Sequence, residues 1–201
     1  MGGADVKRLV IIGASGHGKV IADIALKNGY EEIVFLDDDE SVKECAGFLV
    51  VGRTAEAKHI EGDKFVAIGN AKIREQIQKS IKTTILIHPS AIISRRVEIG
   101  EGTVIMAGAV INSDSTIGKG CIINTGASVD HDCHIGDFAH ISVGSHLAGT
   151  CIVGERTWIG AGATVSNNVE ICSDCMVGAG AVVIKNIEKS GTYVGIPAEE
   201  K

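Results

Sequence analysis

From Ile87 to Glu188 the chain divides into consecutive six-residue units, and every unit opens with Ile, Val or Leu. The openers run Ile87, Ile93, Ile99, Ile105 and onward to Val177 and Val183 without an insertion. The fifth position is mostly small, as at Ala91, Thr103, Ala109, Ser115, Cys121 and Ala127, while polar and charged residues fall between. A period of six fits neither the 3.6-residue helix nor the alternating strand. It fits a short strand plus a corner, and hexapeptide repetition signals a parallel β-helix with the opener and the fifth residue facing inward. The second position is often glycine (Gly100, Gly118, Gly136, Gly154, Gly160, Gly178), which is expected to ease the corner. Each stacked aliphatic opener contributes about 1.5–3 kcal/mol of burial.

Residues 1–84 are patterned differently. An apolar run, Lys7–Ile12, leads into Gly13-Ala14-Ser15-Gly16-His17-Gly18 and a helical stretch, Lys19–Asn28. A second strand, Glu32–Leu36, ends in Asp37-Asp38-Asp39. It is followed by a short element around Leu49–Val51, a helix near Thr54–His59, a strand Lys64–Ile68, then Gly69-Asn70 and a helix Ala71–Ser80. This alternation predicts an α/β half-Rossmann domain over 1–84, its binding crevice at the strand carboxyl ends. Residues 85–201 then form the β-helix with a C-terminal cap.

The glycine turn aims backbone N–H groups at whatever sits above the helix N-terminus, a natural phosphate site. Its spacing is G-x-x-G-x-G rather than the dinucleotide G-x-G-x-x-G, and a tight strand-to-helix turn needs the same residues. Asp37 and Asp38 stand where ribose or base would be held, or form a solvated acidic turn. Together in one strand–helix–strand unit, the two features favour a mononucleotide or nucleotide-sugar pocket.

Composition narrows the partners. A net charge of -6 argues against nucleic acid. No apolar stretch of about 18 residues and no signal peptide are evident, so no membrane association is expected and the chain reads as soluble and cytoplasmic. Of six cysteines, Cys121, Cys133, Cys151 and Cys175 occupy the inward fifth position and are expected to be buried and reduced. Cys172 and Cys175 make a C-x-x-C in which one faces out and the other in, an arrangement that argues against a joint zinc or redox role.

The repeat resembles that of the hexapeptide acyltransferases, whose left-handed parallel β-helix takes three hexapeptides per triangular coil. The resemblance implies coils of 18 residues stacked at ~4.8 Å, and a homotrimer with active sites at the subunit interfaces. Gly-Ala-Ser-Gly-His-Gly ahead of such a helix, with Phe35-Leu36-Asp37-Asp38, Ala67-Ile68-Gly69-Asn70, Asn124-Thr125 and Tyr193-Val194-Gly195-Ile196-Pro197-Ala198, is similar to the sialic acid O-acetyltransferase family. Within that family the likeness is to the bacterial enzymes that N-acetylate UDP-4-amino-4,6-dideoxy sugars on the way to bacillosamine. It implies acetyl-CoA as donor cosubstrate, no metal, and substrate contacts from Ser15, Gly16, His17, Asp37, Asp38, Gly69 and Lys72. His140, Gly149, Ala161, Ala179 and Gly195 would meet the cofactor, with Lys185, Lys189 and Arg156 as candidate phosphate partners.

Four of the seven histidines lie between positions 131 and 146. With three units per coil, His134, His140 and His146 fall on three different faces and cannot converge within one chain. A neighbouring subunit could still bring two of them together, as in the zinc-binding γ-class carbonic anhydrases. His131 sits at a corner between Asp130 and Asp132. It is either a solvated corner residue or a general base with a carboxylate behind it, suited to proton removal near neutral pH. The resemblance selects the base, supported by Asp132 or, because that side chain is short, by Asp130. Gly149, 18 residues on, would offer an N–H to the oxyanion. The expected activity is direct acetyl transfer to the 4-amino group of a UDP-linked sugar. A sugar O-acetyltransferase, a zinc-dependent hydratase and a non-catalytic nucleotide-sugar-binding trimer stand as alternatives.

Overall fold

The computed structural model describes residues 6–201; residues 1–5 of the expected front domain lie outside the described residues. The chain forms two compact units, one up to Leu86 and one from Ile87.

The first unit contains β1 (Arg8–Ile12), α1 (Gly16–Lys27), β2 (Glu32–Leu36), β3 (Glu44–Cys45), β4 (Phe48–Gly52), β5 (Asp63–Val66) and α2 (Ala71–Gln78). The sheet order is β3-β4-β2-β1-β5, parallel except for the β3–β4 pair. Leu9 to Ile12 on the interior strand β1 are wholly buried, as a parallel strand covered on both faces requires. The chain leaves β1 for β2 on one side and returns to β5 on the other, which opens a crevice at the β1 and β5 carboxyl ends.

Two expectations are corrected here. The first helix begins at Gly16, so Gly16, His17 and Gly18 form its first turn instead of a loop before it. A Cβ at Gly18 would lie 2.3 Å from the Gly13 carbonyl oxygen, so the close approach of turn and helix demands glycine there. Thr54–Lys58 is a single 3₁₀ turn whose Glu56 carboxylate accepts the Arg53 N–H at 3.0 Å. The two-residue β3 had escaped the sequence reading because it is too short to show a period.

The second unit is a parallel solenoid of two-residue strands in three sheets. Val110 pairs with Ile92 and Ser128, Thr116 with Glu98 and His134, and Ile122 with Val104 and His140. Partners therefore stand 18 residues apart, as three hexapeptides per coil imply. Openers from Ile105 to Val183 are the inward residues of their strands and are at most 3 % exposed. Inward hydroxyls are satisfied: Thr103, Ser115 and Thr157 donate to the carbonyls of Gly118, Asp130 and Cys172 at 2.7–2.8 Å.

The corner glycines have a different task from the expected one. The second-position glycines lie outside the left-handed region; a Cβ at Gly154 would stand 2.3 Å from Ser173 N of the next coil, so they permit close stacking. The fourth position makes the turn. It is left-handed in unit after unit, at glycines and also at Asp114, Asp132, Phe138, Thr150, Arg156, Asn168 and Asp174 with φ between 57° and 63°.

Beyond the repeat, Thr192–Val194 adds a parallel rung to Met176–Val177, and Glu199–Glu200 folds back on it antiparallel. The Ile196–Pro197 peptide is cis. Among the described residues no helix is long and apolar enough to cross a membrane.

Candidate active site

One corner of the solenoid stacks residues 112–114, 130–132, 148–150 and 166–168. Here Asp132 takes the left-handed fourth position at φ 58°, a conformation short Asp side chains tolerate. From it the carboxylate meets His131 Nδ1 at 2.7 Å. Asp130 accepts Asn112 Nδ2 at 2.7 Å and the His131 N–H at 2.8 Å, so it fixes the backbone while Asp132 holds the ring. The hydrogen bond to Asp132, with a further contribution from the Asp130 charge, raises the His131 pKa above its ordinary value. The Asn112 amide in turn lowers that of Asp130.

With Nδ1 donating to Asp132, the second ring nitrogen carries the lone pair. Nε2 projects over Gly149, where a Cβ would be 2.5 Å away. Thr150 N–H, next in the chain, donates to the His131 carbonyl at 2.8 Å and locks the two coils together. Among the described residues the Gly149 N–H itself donates to no acceptor. A base and an uncommitted donor thus share one ledge.

A second corner stacks residues 124–126, 142–144, 160–162 and 178–180. Its left-handed position is glycine in five successive coils, Gly108, Gly126, Gly144, Gly162 and Gly180, and a Cβ added at any of them would meet nothing within 4 Å. The histidine corner makes the same turn with Asp, Asp, Thr and Asn, so backbone strain alone does not require glycine. What glycine supplies is a bare ridge that another group can approach closely. Ala161 and Ala179 are exposed along it, with Gly180 N–H donating to the Ala161 carbonyl at 2.9 Å. His140 stands on the adjoining sheet, stacked on Trp158 at 4.9 Å and joined to Asn124 Nδ2 through Nε2 at 3.0 Å. Gly195 accepts from Val182 N–H at 3.0 Å, close in the chain to Ala179. The sequence reading overlooked the ridge, though its signal, glycine at intervals of 18, stands in the chain.

The structure does not bring these two groups together within one chain. His131 and Gly149 occupy one corner, Ala161 and Ala179 another, and the sheet containing Ser128–Val129, His146–Leu147 and Thr164–Val165 lies between. His134, His140 and His146 stand on three different sheets, each against a polar side chain one coil back (Thr116, Asn124, Ser128). Arg156 is held by Asp174 and Glu155, Lys189 by Glu200, and Lys185 is exposed. Cys172 is partly exposed and Cys175 buried, as one outward and one inward residue should be, and their sulfurs lie 3.4 Å apart.

In the first unit, the predicted substrate residues gather around the β1 and β5 carboxyl ends. Gly13, at φ 106°, could not carry a Cβ, which would stand 2.8 Å from the Ala67 carbonyl oxygen, whereas Gly16 and Gly69 face open space. Ser15 caps α1 from an exposed position without using its hydroxyl. Asp37 accepts the Ala14 N–H at 2.6 Å and Asp39 N–H at 2.9 Å, pinning the glycine turn to the end of β2. Asp38 accepts the Thr54 N–H at 3.0 Å. His17 Nε2 is buried without a hydrogen-bond partner, and burial, with the nearby Arg74 charge, lowers its pKa to about 4. Lys72 is exposed on α2. Arg74, which sequence reasoning missed because it looks like any surface helix residue, is fully buried. It donates to the Ile68 and Gly69 carbonyls at 2.7 and 3.0 Å, shaping the Gly69 loop.

Residues 8–81 match the PglD N-terminal domain, and residues 150–185 the bacterial transferase hexapeptide (six repeats). The UDP-N-acetylbacillosamine N-acetyltransferase of Bacillus subtilis (strain 168) is 38% identical over 113 residues, which are 51% of this chain and 52% of that protein. The match thus spans about half the length of that curated relative. The acetyltransferase domain of PglB from Neisseria gonorrhoeae FA1090, also solved in complex with acetyl coenzyme A, superposes with a TM-score of 0.92 at 41% identity. That superposition covers 97% of this chain and 100% of that one. PerB from Caulobacter crescentus, in complex with CoA and GDP-perosamine, has a TM-score of 0.91 and 38% identity over 98% of each chain.

Proposed function

The chain belongs to the hexapeptide-repeat sugar acetyltransferases with a PglD-type N-terminal domain, and on that premise we propose that it transfers the acetyl group of acetyl-CoA to the 4-amino group of a UDP-linked dideoxy amino sugar. The observation that carries the reading is the ledge at the histidine corner, with Nδ1 of His131 held by Asp132 and Nε2 poised above Gly149. The sugar amine attacks the thioester carbonyl carbon while His131 Nε2 takes the amine proton. The Gly149 N–H donates to the oxyanion that forms, and the C–S bond then breaks to release CoA, its sulfur reprotonated from the imidazolium. This route needs no covalent intermediate, and among the described residues the partner of the His131 ring is Asp132 and not a Ser or Cys.

The glycine ridge fits the donor: a long, narrow thiol arm can lie against Ala161 and Ala179, where no side chain beyond a methyl intrudes. Because ridge and ledge occupy different corners, a complete site is formed from two copies of the chain, and the homotrimer supplies three of them. In the first unit, Ser15, Gly16, His17 and Gly69, with Asp37, Asp38 and Lys72 nearby, bind the nucleotide. A donor drawn from the cellular CoA pool makes the cytoplasm its compartment.

The test is release of CoA thiol from acetyl-CoA with UDP-4-amino-4,6-dideoxy-N-acetylglucosamine, with GDP-perosamine and free sialic acid run beside it. Turnover on the UDP sugar alone is expected. Turnover on GDP-perosamine alone would move the acceptor to the guanosine sugar that PerB binds and leave the chemistry standing. Turnover on sialic acid alone would assign O-acetylation. Release with none of the three overturns the reading.

A further inference from the structure

Between Glu170–Ile171 and Met176–Val177 the solenoid turns a corner through Cys172, Ser173, Asp174 and Cys175, and the two sulfurs lie 3.4 Å apart. The fold itself brings them together. The second and fifth residues of a unit close on each other across the left-handed fourth residue, as the hydrogen bonds from Ala163 N–H to Gly160 and from Ala127 N–H to Asn124 show elsewhere, at 3.1 and 3.0 Å. Asp174, at φ 59°, is the fourth residue here. In the preceding coils the place of Cys172 is taken by Gly100, Gly118, Gly136 and Gly154, where a Cβ would strike the next coil. Cys172 can carry a side chain because the next coil is irregular here, meeting this strand through the Ile171–Ile187 bridge and the Glu170 N–H to Asn186 Oδ1 hydrogen bond at 3.0 Å.

We propose that Cys172 and Cys175 form a redox-active dithiol, a site of oxidative modification whose reactants are small disulfides and other two-electron thiol oxidants. Cys172 is partly exposed and receives the oxidant; Cys175, 3 % exposed, resolves it. With glutathione disulfide, the Cys172 sulfur loses its proton to solvent and attacks one glutathione sulfur. The glutathione S–S bond breaks and the first glutathione leaves as a thiolate. The Cys175 sulfur then attacks Cys172, gives up its own proton, and expels the second glutathione. The protein has lost two electrons and two protons, and the disulfide has become two thiols. Burial pushes the Cys175 thiol up to about 11, in keeping with a resolving partner that does not react first. Cys151 has its pKa lowered by the hydrogen bond with Cys133, yet both residues are at most 1 % exposed, and access excludes them.

The site is tested by treating native protein with glutathione disulfide, alkylating the remaining thiols after denaturation, and digesting with trypsin. Cys172 and Cys175 share the peptide Thr157–Lys185, while Cys121, Cys133 and Cys151 share Gly120–Arg156. The first peptide should lose two hydrogens and both alkylation sites, regained after dithiothreitol, and the second should keep all three. Cys175→Ser, matched to the serines that fill the fifth position at Ser115 and Ser145, should stop at a glutathione adduct on Cys172. Cys172→Ser should leave Cys175 reduced. Two alkylated thiols in Thr157–Lys185 after treatment, or preferential oxidation of Gly120–Arg156, would overturn the proposal.

Discussion

The imidazole of His131 fills the space that a side chain on Gly149 would need, its Nε2 standing 2.5 Å from the position of such a Cβ. The obstacle is the far end of an exposed side chain, so Gly149→Ala should fold normally and displace the ring. The displaced ring no longer reaches the amine proton, so the expected outcome is a loss of about 10² in kcat with an unchanged thermal midpoint. Undiminished turnover would remove both residues from the chemistry.

The carboxylate of Asp132 raises the His131 pKa above its ordinary value of 6.5, and only the unprotonated ring can accept the amine proton. Activity should therefore fall on the acid side, with the limb of the kcat/KM profile above pH 6.5. Asp132→Asn should shift that limb to lower pH while reducing the plateau, and His131→Ala should abolish it with a loss of about 10²–10⁴ in kcat. An acid limb that stays in place in Asp132→Asn would separate the carboxylate from the base.

If ledge and ridge come from different subunits, two crippled chains can repair each other. His131→Ala and Ala161→Trp should each be inactive alone. Denatured together and refolded as mixed trimers, they should regain about a quarter of wild-type activity, the share of interfaces at which both halves are intact. No recovery, with mixed trimers verified by mass, would mean that each chain builds its site alone.

His17 bears on acid stability. Its pKa falls from 6.5 unfolded to about 4 folded, so the native state resists a proton that the unfolded chain accepts. Stability is complete above pH 6.5 and declines as pH drops toward 4, by about 3 kcal/mol across the window. His17→Gln should flatten this part of the curve in denaturant titrations at pH 7 and pH 4.5.

Much of the solenoid was legible because its period is written in side-chain chemistry: an aliphatic opener and a small fifth residue have to face inward in every unit. The histidine corner was legible for the same reason, since a fixed coil length converts 18 residues of sequence into a neighbour in space. Closures within a turn were harder to read. Positions two and five diverge when only inward and outward are counted, and the contact of Cys172 with Cys175 emerges once the fourth residue is left-handed. Arg74 was hidden for another reason: an arginine on a short polar helix looks solvated until the Ile68 and Gly69 carbonyls are known to need donors. The start of α1 was misplaced because glycine is a poor helix former, whereas the demand at Gly18 comes from the Gly13 carbonyl, which no local propensity records.

The hairpin that ends the described chain has a consequence for solubility. A stack of parallel rungs offers the same unpaired N–H and C=O groups at its last rung as at every earlier one, and nothing in such a ladder tells a neighbouring molecule where to stop. Glu199–Glu200 reverses strand direction on Thr192–Val194 and sets two carboxylates at the margin. An incoming parallel strand meets the reversed polarity there, with the Glu199 carboxylate beside the Glu200–Lys189 ion pair. That one sheet of the three thereby carries a terminator against fibrous growth.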